Sequence, residues 1–295
     1  MTTLSGIWSK APVGLKGALW TRIGRRLVGS NPEYVTSNLG ISNALEFRVP
    51  TSRPDLAFGG PADNLSERST IALATTLAKS SRSFVDVGAN YGIFSAAVST
   101  ASNNKLPIIA VEADPNLSRL LADNISRSRL ANCSVISGAI TKESGNLVFY
   151  SNIDDDSSGS ITHHFSQTHR VLPVEVKGIP LAEILVEHNI QEALIKIDVE
   201  GAGCQVWEGL GCEWKRARWI IYEIIGPEAE ARLPETISNE TGWDSYYIRD
   251  FQLIRTDFAD YKYVPPFWNW LFTAVPVDEL RLLLANKFEI LSSGD

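Results

Sequence analysis

The sequence predicts an α/β fold built on a doubly wound, mostly parallel β-sheet. From residue 84 onward, short apolar segments alternate with longer segments in which apolar residues recur at helical spacing. This alternation is typical of parallel strands joined by helical crossovers. The strand that begins at Phe84 ends in the glycine turn Gly88–Gly92, and the next strand ends at Glu112. A glycine turn followed by an acid at this distance is the layout of a nucleoside site in such a sheet.

The composition is that of a globular protein. The chain has 295 residues, of which 44% are hydrophobic and 21% charged, and its formal net charge is −7. An acidic balance argues against a general binder of nucleic acid or of anionic membranes. The three cysteines show no metal-binding spacing and favour a reduced, cytoplasmic setting. We find no signal peptide and no apolar run long enough to span a bilayer.

The chain is predicted to divide into an N-terminal extension, residues 1–65, and one domain, residues 66–295. Residues 1–32 carry basic but no acidic side chains, and apolar spacing predicts a basic amphipathic helix over residues 14–28. Short extended pieces complete this arm. We favour packing of the helix on its own domain or on a second subunit, which leaves a homo-oligomer open. Weak contact with a membrane surface is the less favoured alternative.

The remaining elements are predicted from local pattern. Strands are assigned to β-branched or apolar runs bounded by turn residues, and helices to apolar residues at helical spacing. Ser66 is the expected N-cap of a helix ending near Leu77, Gly211 ends another helix, and the polar residues 152–170 are expected to be irregular. The predicted strands cover residues 84–88, 107–112, 133–138, 147–151, 174–176, 193–198, 219–225, 245–254 and 270–275, and the other helices cover 91–101, 115–129, 180–189 and 201–210.

The glycine turn favours S-adenosylmethionine (SAM) over a nicotinamide dinucleotide. Dinucleotide sites usually contain GxGxxG, because a pyrophosphate sits against bare backbone at a helix N-terminus. Here three residues, including Tyr91, separate the glycines of Gly88–Gly92. SAM has no phosphate, and its zwitterionic methionine end suits a carboxylate near the turn, Asp86, and an amide, Asn90. Glu112 is expected to accept hydrogen bonds from both ribose hydroxyls.

Three further residues are predicted to contact the cofactor. Glu67 lies at the start of the helix that leads into the glycine-turn strand. Ala113 follows Glu112 directly, and Ala139 belongs to a run of small residues after the strand at 133–138 that leaves room for a flat adenine.

The strand at 193–198 carries charge where a buried strand is expected to be apolar. Period-two alternation places Lys196 and Asp198 on one face, with Lys196 deeper in the sheet. A buried lysine needs a partner, and Asp86 is the expected one if the two strands are neighbours. We favour a structural Lys–Asp pair for Lys196, whereas Asp198 lies at a carboxyl strand end, where ligands bind in open α/β sheets.

Taken together, these segments resemble the FkbM family of SAM-dependent methyltransferases over roughly residues 66–275. The resemblance implies the class I methyltransferase (Rossmann-like) fold, with a mostly parallel seven-stranded sheet whose last strand is antiparallel. It also implies methyl transfer from SAM, usually to a hydroxyl of a sugar or a natural product. The matching blocks are Val85–Gly92, Val111–Pro115 with Asn124 beyond it, Ile195–Gly201 and Tyr222–Ile224.

Two positions depart from the family pattern. The family often has glutamate where this chain has Gly203, and it often has histidine shortly after the glutamate that corresponds to Glu223, where this chain continues Ile224-Ile225-Gly226. A base or metal role placed on that histidine therefore does not carry over.

Candidates for a catalytic base are carboxylates and histidines. Histidine titrates near neutrality and makes a natural base, although each histidine alone is more typical of an exposed loop. The carboxylates suit binding of the methionine end of SAM or of sugar hydroxyls. A divalent cation held by Asp154–Asp156 with Asp198 is considered but not predicted, because such an acidic run is more typical of a solvated turn. The candidates are Asp198, Glu200, Glu223, His163 and His164.

These observations predict a cytoplasmic SAM-dependent O-methyltransferase acting on a sugar hydroxyl, free, nucleotide-linked or within a glycan. A polyketide-like or lipid acceptor is the alternative within the same chemistry. A nucleoside-binding partner protein without catalysis is the alternative from another class. An NAD-dependent oxidoreductase is disfavoured by the missing GxGxxG.

Overall fold

The structure, a computed structural model, describes residues 34–50, 53, 56, 65–153, 158–225, 228–258, 269–285 and 287–292. The predicted helix at 14–28 and the acidic run Asp154–Asp156 lie outside the described residues.

Strands and helices alternate through most of the described chain. The first part contains β1 (Tyr34–Ser37), β2 (Phe47–Pro50), α1 (Leu65–Leu77), β3 (Ser83–Val87), α2 (Ile93–Ala101), β4 (Ile108–Glu112), α3 (Pro115–Arg127), β5 (Cys133–Ser137) and β6 (Ala139–Ile140). The middle part contains β7 (Gly145–Asn152), β8 (Gly159–Ser160), α4 (His163–Thr168), β9 (Val171–Ile179), α5 (Leu181–Glu187), β10 (Ala193–Ile197), α6 (Gly203–Leu210) and β11 (Ala217–Glu223). The last part contains α7 (Glu228–Ala231), α8 (Leu233–Thr241), β12 (Asp244–Arg249), β13 (Gln252–Arg255), β14 (Asn269–Thr273), α9 (Val277–Leu284) and β15 (Glu289–Leu291).

The central sheet confirms the predicted fold class. In the described residues its order is β15–β13–β12–β14–β11–β10–β3–β4–β5. Strands β5, β4, β3, β10 and β11 are parallel to one another, and β14 is antiparallel to β11. The seven strands from β5 to β12 give the mostly parallel sheet that the family resemblance implied.

The sheet is wider than predicted, because β13 and β15 extend it beyond β12. The single strand predicted at 245–254 is in fact the hairpin β12–β13. Asp250 lies in its turn with φ 51°, a left-handed conformation that aspartate tolerates better than most residues. The prediction of one strand was wrong because apolar residues continue on both sides of this short turn.

Helices cover both faces of the central sheet. Strand β10 shows why its sequence is largely apolar: Ile195 and Ile197 join the core beneath α5 and α6, whereas Leu194 joins the core beneath α1, α2 and α9. Each face therefore buries alternate side chains of the same strand. Lys196 shares the face of Leu194, which places an ammonium group within an apolar layer.

A second, smaller sheet lies beside the carboxyl ends of the central strands. Its order is β6–β9–β7–β8, and it includes residues predicted to be irregular. Strands β7 and β9 are longer than predicted because alternate residues such as Asn146, Glu175 and Lys177 are exposed and polar. Helix α1 begins at Leu65, so Ser66 lies inside the helix and the predicted N-cap is wrong.

Among the helices that the structure describes, none combines the length and the apolar character that a bilayer crossing requires.

Candidate functional site

The glycine turn is wedged between two strands of the central sheet. The amides of Gly88 and Ala89 both donate to the carbonyl of Val111, at 2.9 and 3.0 Å. Gly88 has φ +74°, and a Cβ atom there would lie 1.8 Å from the carbonyl oxygen of Asp198. Only glycine fits at this position, because a side chain would collide with backbone. The turn is therefore fixed against the ends of β4 and β10.

The rest of the turn is shaped from below. Asn90 is left-handed, with φ 53°. The Tyr91 ring is buried beside Phe47, and its carbonyl accepts from Asn124 Nδ2 at 3.2 Å. Gly92, with φ +92°, precedes α2. Tyr91 and Gly92 thus support the turn from the core and do not line the cleft above it, in contrast to their predicted contact with the cofactor.

Glu112 is held in one orientation at the end of β4. Its Oε2 atom accepts from the amide of Asn90 and its Oε1 atom accepts from the amide of Asp114, both at 2.8 Å. Burial raises the pKa of Glu112 to about 7, although these backbone hydrogen bonds act in the opposite direction. Each carboxylate oxygen keeps a lone pair for a further donor.

A cleft opens above the turn, with about 680 Å³ of empty volume, within the range of roughly 300–1,000 Å³ that is typical of ligand pockets. The charged residues among its lining, within the described part of the chain, are all acidic: Glu112, Asp114, Asp198 and Glu200. The predicted site residues that meet in this cleft are Gly88, Asn90, Glu112, Ala113, Ala139, Asp198 and Glu200.

The second sheet supplies cleft residues that the sequence analysis missed. Phe149 on β7 and the segment Ser158–Ile161 line the cleft. The Ser160 hydroxyl donates to the carbonyl of Glu200 at 2.7 Å, which ties β8 to the turn after β10. Local sequence gave no signal for this contact, because the partners are 40 residues apart.

Asp114 joins the two sheets. It caps α3, accepting from the amides of Asn116 at 2.7 Å and Leu117 at 3.2 Å, as expected of aspartate before a proline at a helix start. Its Oδ2 atom also accepts a hydrogen bond from the Ser151 hydroxyl on β7. The Asp-Pro pair signalled the cap, but nothing in the sequence signalled Ser151.

Lys196 is paired with Asp198 rather than with the predicted Asp86. The Lys196 Nζ atom lies 2.9 Å from Asp198 Oδ2 and 4.6 Å from the centre of the Phe94 ring. The prediction that β3 and β10 are neighbours is confirmed, and Lys196 stands opposite Asp86 in their register. The partner differs because the lysine side chain extends toward the carboxyl end of its own strand.

Asp86 lies beneath the glycine turn, fully buried. Its Oδ2 atom accepts from the amide of Ser95 at 3.1 Å and from the Ser95 hydroxyl at 2.7 Å. Burial raises the pKa of Asp86, and the nearby Lys196 opposes that shift. Asp86 does not line the cleft, so the structure places it under the predicted cofactor contacts rather than among them.

Asp198 and Glu223 form an acid pair at adjacent strand ends. Burial alone would raise the pKa of Asp198, but the Lys196 ammonium and hydrogen bonds from Glu223 and Lys196 hold it below its usual range. Burial and the like charge of Asp198 raise the pKa of Glu223 well above its usual range. At neutral pH the pair therefore consists of an ionised Asp198 and a protonated Glu223.

The structure does not bring every candidate to the cleft. His163 is exposed on α4, where its Nδ1 atom lies 3.2 Å from Ser166 Oγ. It faces away from the cleft because the buried Phe165, two positions later, points toward the core from the opposite side of the helix. Glu67 is half-buried in the first turn of α1, away from the cleft. The side chain of His164 lies outside the described residues.

The first departure from the family pattern has a structural counterpart. A Cβ atom at Gly203 would lie 2.5 Å from Glu230 Oε2, and Glu230 Oε1 accepts from the amide of Cys204 at 2.9 Å. A carboxylate from α7 therefore occupies the space in which a side chain at residue 203 would begin. Within the part of the chain that is described, no group of three or more His, Cys, Asp or Glu side chains is arranged to hold a metal ion.

Comparison with solved structures finds similar chains at low identity. A methyltransferase FkbM from Methylobacillus flagellatus is 14% identical with a TM-score of 0.45, and the match covers 65% of this chain and 43% of that one. A human methyltransferase 10 domain containing protein is 13% identical with a TM-score of 0.42, covering 80% and 88%. An O-methyltransferase from Bacillus cereus, solved in complex with SAH, is 12% identical with a TM-score of 0.40, covering 69% and 78%.

The chain spans less than half the length of the Methylobacillus protein. No curated protein sequence matches the chain. The family model described as "Methyltransferase FkbM domain" matches residues 86–264, which include the glycine turn, Glu112, the Lys196–Asp198 pair and Glu223. This match covers more than half of the sequence, and the chain therefore belongs to the FkbM methyltransferase family.

Proposed function

We propose that the chain is a SAM-dependent O-methyltransferase that methylates a hydroxyl of a sugar. The observation that carries the proposal is the fixed carboxylate of Glu112, with each oxygen held by a backbone amide at 2.8 Å above a turn in which Gly88 leaves the backbone bare. A carboxylate placed in this way suits the two ribose hydroxyls of a nucleoside.

The charge of the cleft favours SAM over a dinucleotide. The charged lining residues among those described are all acidic, and a pyrophosphate beside four carboxylates would be repelled. SAM carries a sulfonium and an ammonium group, so its positive charges fit an acidic cleft. In this proposal Gly88, Asn90, Glu112, Ala113 and Ala139 contact the adenosyl part, and Asp198 lies near the methionine end.

The proposed reaction depends on alignment more than on activation. When bound, SAM supplies an activated methyl group with a neutral thioether as leaving group. The chain must hold the acceptor oxygen in line with that methyl group, and alignment supplies up to roughly 7–11 kcal/mol in ideal cases. A positioned base for the hydroxyl proton adds roughly 10²–10⁴-fold. Asp198, Glu200 and Glu223 are the described candidates for the acceptor end.

A sugar acceptor is supported by the polar character of the cleft near β8 and β10. Asp198, Glu200, Ser158 and Ser160 lie there, and carboxylates and hydroxyls are suitable partners for sugar hydroxyls. A polyketide-like or lipid acceptor is supported by a different observation. Leu172, 53% exposed, is paired with Ser151 and therefore shares the cleft-side face of the β7–β9 hairpin.

Location and assembly are proposed on weaker grounds. The cysteines are free thiols, with Cys212 exposed, which supports a reducing, cytoplasmic setting. Assignment of residues 1–65 as an extension, contact of residues 14–28 with a second subunit or membrane surface, and independence from metal remain predictions.

The proposal is tested by screening acceptors with methyl-labelled SAM, with and without a chelator. The panel contains free sugars, nucleotide sugars and lipid-linked or polyketide alcohols, each beside its O-methylated form as a matched control. We expect label to enter sugars that have a free hydroxyl and none to enter the methylated controls. Transfer only to apolar alcohols would favour the second acceptor class. SAM binding without transfer to any acceptor would favour the non-catalytic alternative.

A further inference from the structure

The acid pair at the ends of β10 and β11 has a charge arrangement that the proposed function does not yet use. Ile197 is paired with Tyr222 in the parallel register, so the next residues, Asp198 and Glu223, leave the sheet side by side. A hydrogen bond joins their carboxyl groups. Asp198 lines the cleft, and Glu223 lies behind it at the end of the neighbouring strand.

Positive charge is scarce around this pair. Asp86 on β3, Asp198, Glu200 and Glu223 surround the ammonium of Lys196, which is the cation that acts on the pair in the described structure. That ammonium is committed: it bonds Asp198 Oδ2 at 2.9 Å and packs over Phe94. With its one nearby cation bound to Asp198, Glu223 is left beside a like charge, and a carboxyl in that position retains its proton.

We propose that Glu223 is the base that takes the proton of the acceptor hydroxyl, and that it becomes ionised only when the positive sulfonium of the donor enters the cleft beside Asp198. This inference rests on the proposed O-methyl transfer from SAM. It divides the roles of the pair: Asp198 stays ionised and attracts the donor, and Glu223 changes its protonation state. Lys196 is a positioning residue that fixes Asp198.

The proposed step balances in protons and electrons. Donor binding displaces the Glu223 proton to solvent. The acceptor hydroxyl then gives its proton to a Glu223 oxygen while the acceptor oxygen forms a bond with the methyl carbon. The bond from that carbon to sulfur breaks, and its electron pair stays on the sulfur of the neutral thioether. Glu223 is protonated again once the positive charge is gone, as it was before the donor entered.

Calorimetric binding in two buffers of different ionisation enthalpy counts the protons released per ligand. The test compares SAM with its uncharged-sulfur product, S-adenosylhomocysteine (SAH), on the full chain at pH 7. Proton release from Glu112 is common to both ligands, because both carry the ribose, so it cancels in the difference. We expect about one more proton released with SAM than with SAH.

Variants separate the base from its surroundings. In Glu223→Gln the difference between SAM and SAH should vanish while both ligands still bind, and turnover should fall by roughly 10²–10⁴-fold. Glu187→Gln, an exposed position at the end of α5, should behave as the unaltered chain in both measurements. If Glu223→Gln does not fold, the ligand comparison on the unaltered chain still decides whether proton release depends on the sulfonium.

Three results would overturn the inference: equal proton release with SAM and SAH, a difference that persists in Glu223→Gln, or turnover of that variant at the unaltered rate. Failure of both ligands to bind would instead overturn the proposed function, and the inference with it.

Discussion

Lys196 and Asp198 form a buried ion pair within a single strand, with 2.9 Å between Nζ and Oδ2. The lysine side chain is 5% exposed and the aspartate side chain 23%, so the pair connects the protein core to the cleft. Because Asp86 lies opposite Lys196 on β3, one ammonium serves two buried carboxylates, and its removal leaves both without a counter-charge.

Replacement of Lys196 by methionine should therefore strongly destabilise the fold. Loss of one partner of a buried pair costs about 3–5 kcal/mol, because an uncompensated charge remains. Lys142→Met is the matched control, since Lys142 pairs with Glu208 at 3.2 Å with both side chains more than half exposed; its expected cost is about 0–1 kcal/mol. Urea unfolding of both variants measures the difference, and equal losses would contradict a structural role for the buried pair.

Glu112→Ala should weaken SAM binding without abolishing the fold. Hydrogen bonds to a charged group contribute roughly 1.5–3 kcal/mol each, so loss of the ribose contacts should raise the dissociation constant at least about tenfold. Glu175→Ala, on the exposed face of β9, is the control and should bind as the unaltered chain. Calorimetric titration of both variants tests this, and an unchanged affinity in Glu112→Ala would remove the ribose assignment.

The affinity for SAH should depend on pH through Glu112. Its pKa is raised to about 7, and donation from ribose hydroxyls favours the ionised form, so binding strengthens as the group loses its proton. We expect the dissociation constant to fall about tenfold per pH unit below 7 and to level off above it. In Glu112→Gln the profile should be flat between pH 5.5 and 8, and a slope that persists there would assign the titration to another group.

Gly88→Ala should damage both stability and binding. The added Cβ would collide with the Asp198 carbonyl at 1.8 Å in a backbone with φ +74°, for a combined cost of roughly 2–6 kcal/mol. Gly145→Ala provides the matched control, because its Cβ would meet nothing within 4 Å, and it should stay within about 0.5 kcal/mol. Thermal unfolding with and without SAH compares them, and a stable Gly88→Ala with normal affinity would show that the turn is not the binding element.

Removal of residues 1–32 should leave SAH binding unchanged, whereas removal of residues 1–50 should not. The second truncation deletes Phe47 and Val49, which are fully buried, and the hydrogen bond from the Arg48 amide to Asn124 Oδ1 at 2.7 Å. Asn124 also holds the carbonyl of Tyr91 beneath the turn. A chain beginning at residue 33 that folds but does not bind SAH would contradict the first expectation.

The sequence was sufficient for elements whose signal is local. Strand ends with a turn glycine or a terminal acid could be predicted at Gly88, Glu112 and Asp198, because burial on both faces leaves a continuous apolar run before them. The neighbouring placement of β3 and β10 followed from the regular handedness of such sheets.

Contacts between distant segments could not be predicted. Ser151 bonds Asp114 from 37 residues away, and Ser160 reaches Glu200 across 40 residues; each depends on how the second sheet folds over the cleft. The partner of Lys196 was predicted on the adjacent strand because sequence gives the face of a side chain but not its direction along the strand. Glu230 beside Gly203 could not be inferred, since α7 has no periodic signal of its own.

The most direct test of the account is a crystal structure with SAH bound. We predict that the ribose hydroxyls lie within hydrogen-bonding distance of the Glu112 carboxylate and that the adenosyl group rests over Gly88 and Asn90. A nucleoside bound elsewhere, or Glu112 turned away from the ribose, would contradict the central claim.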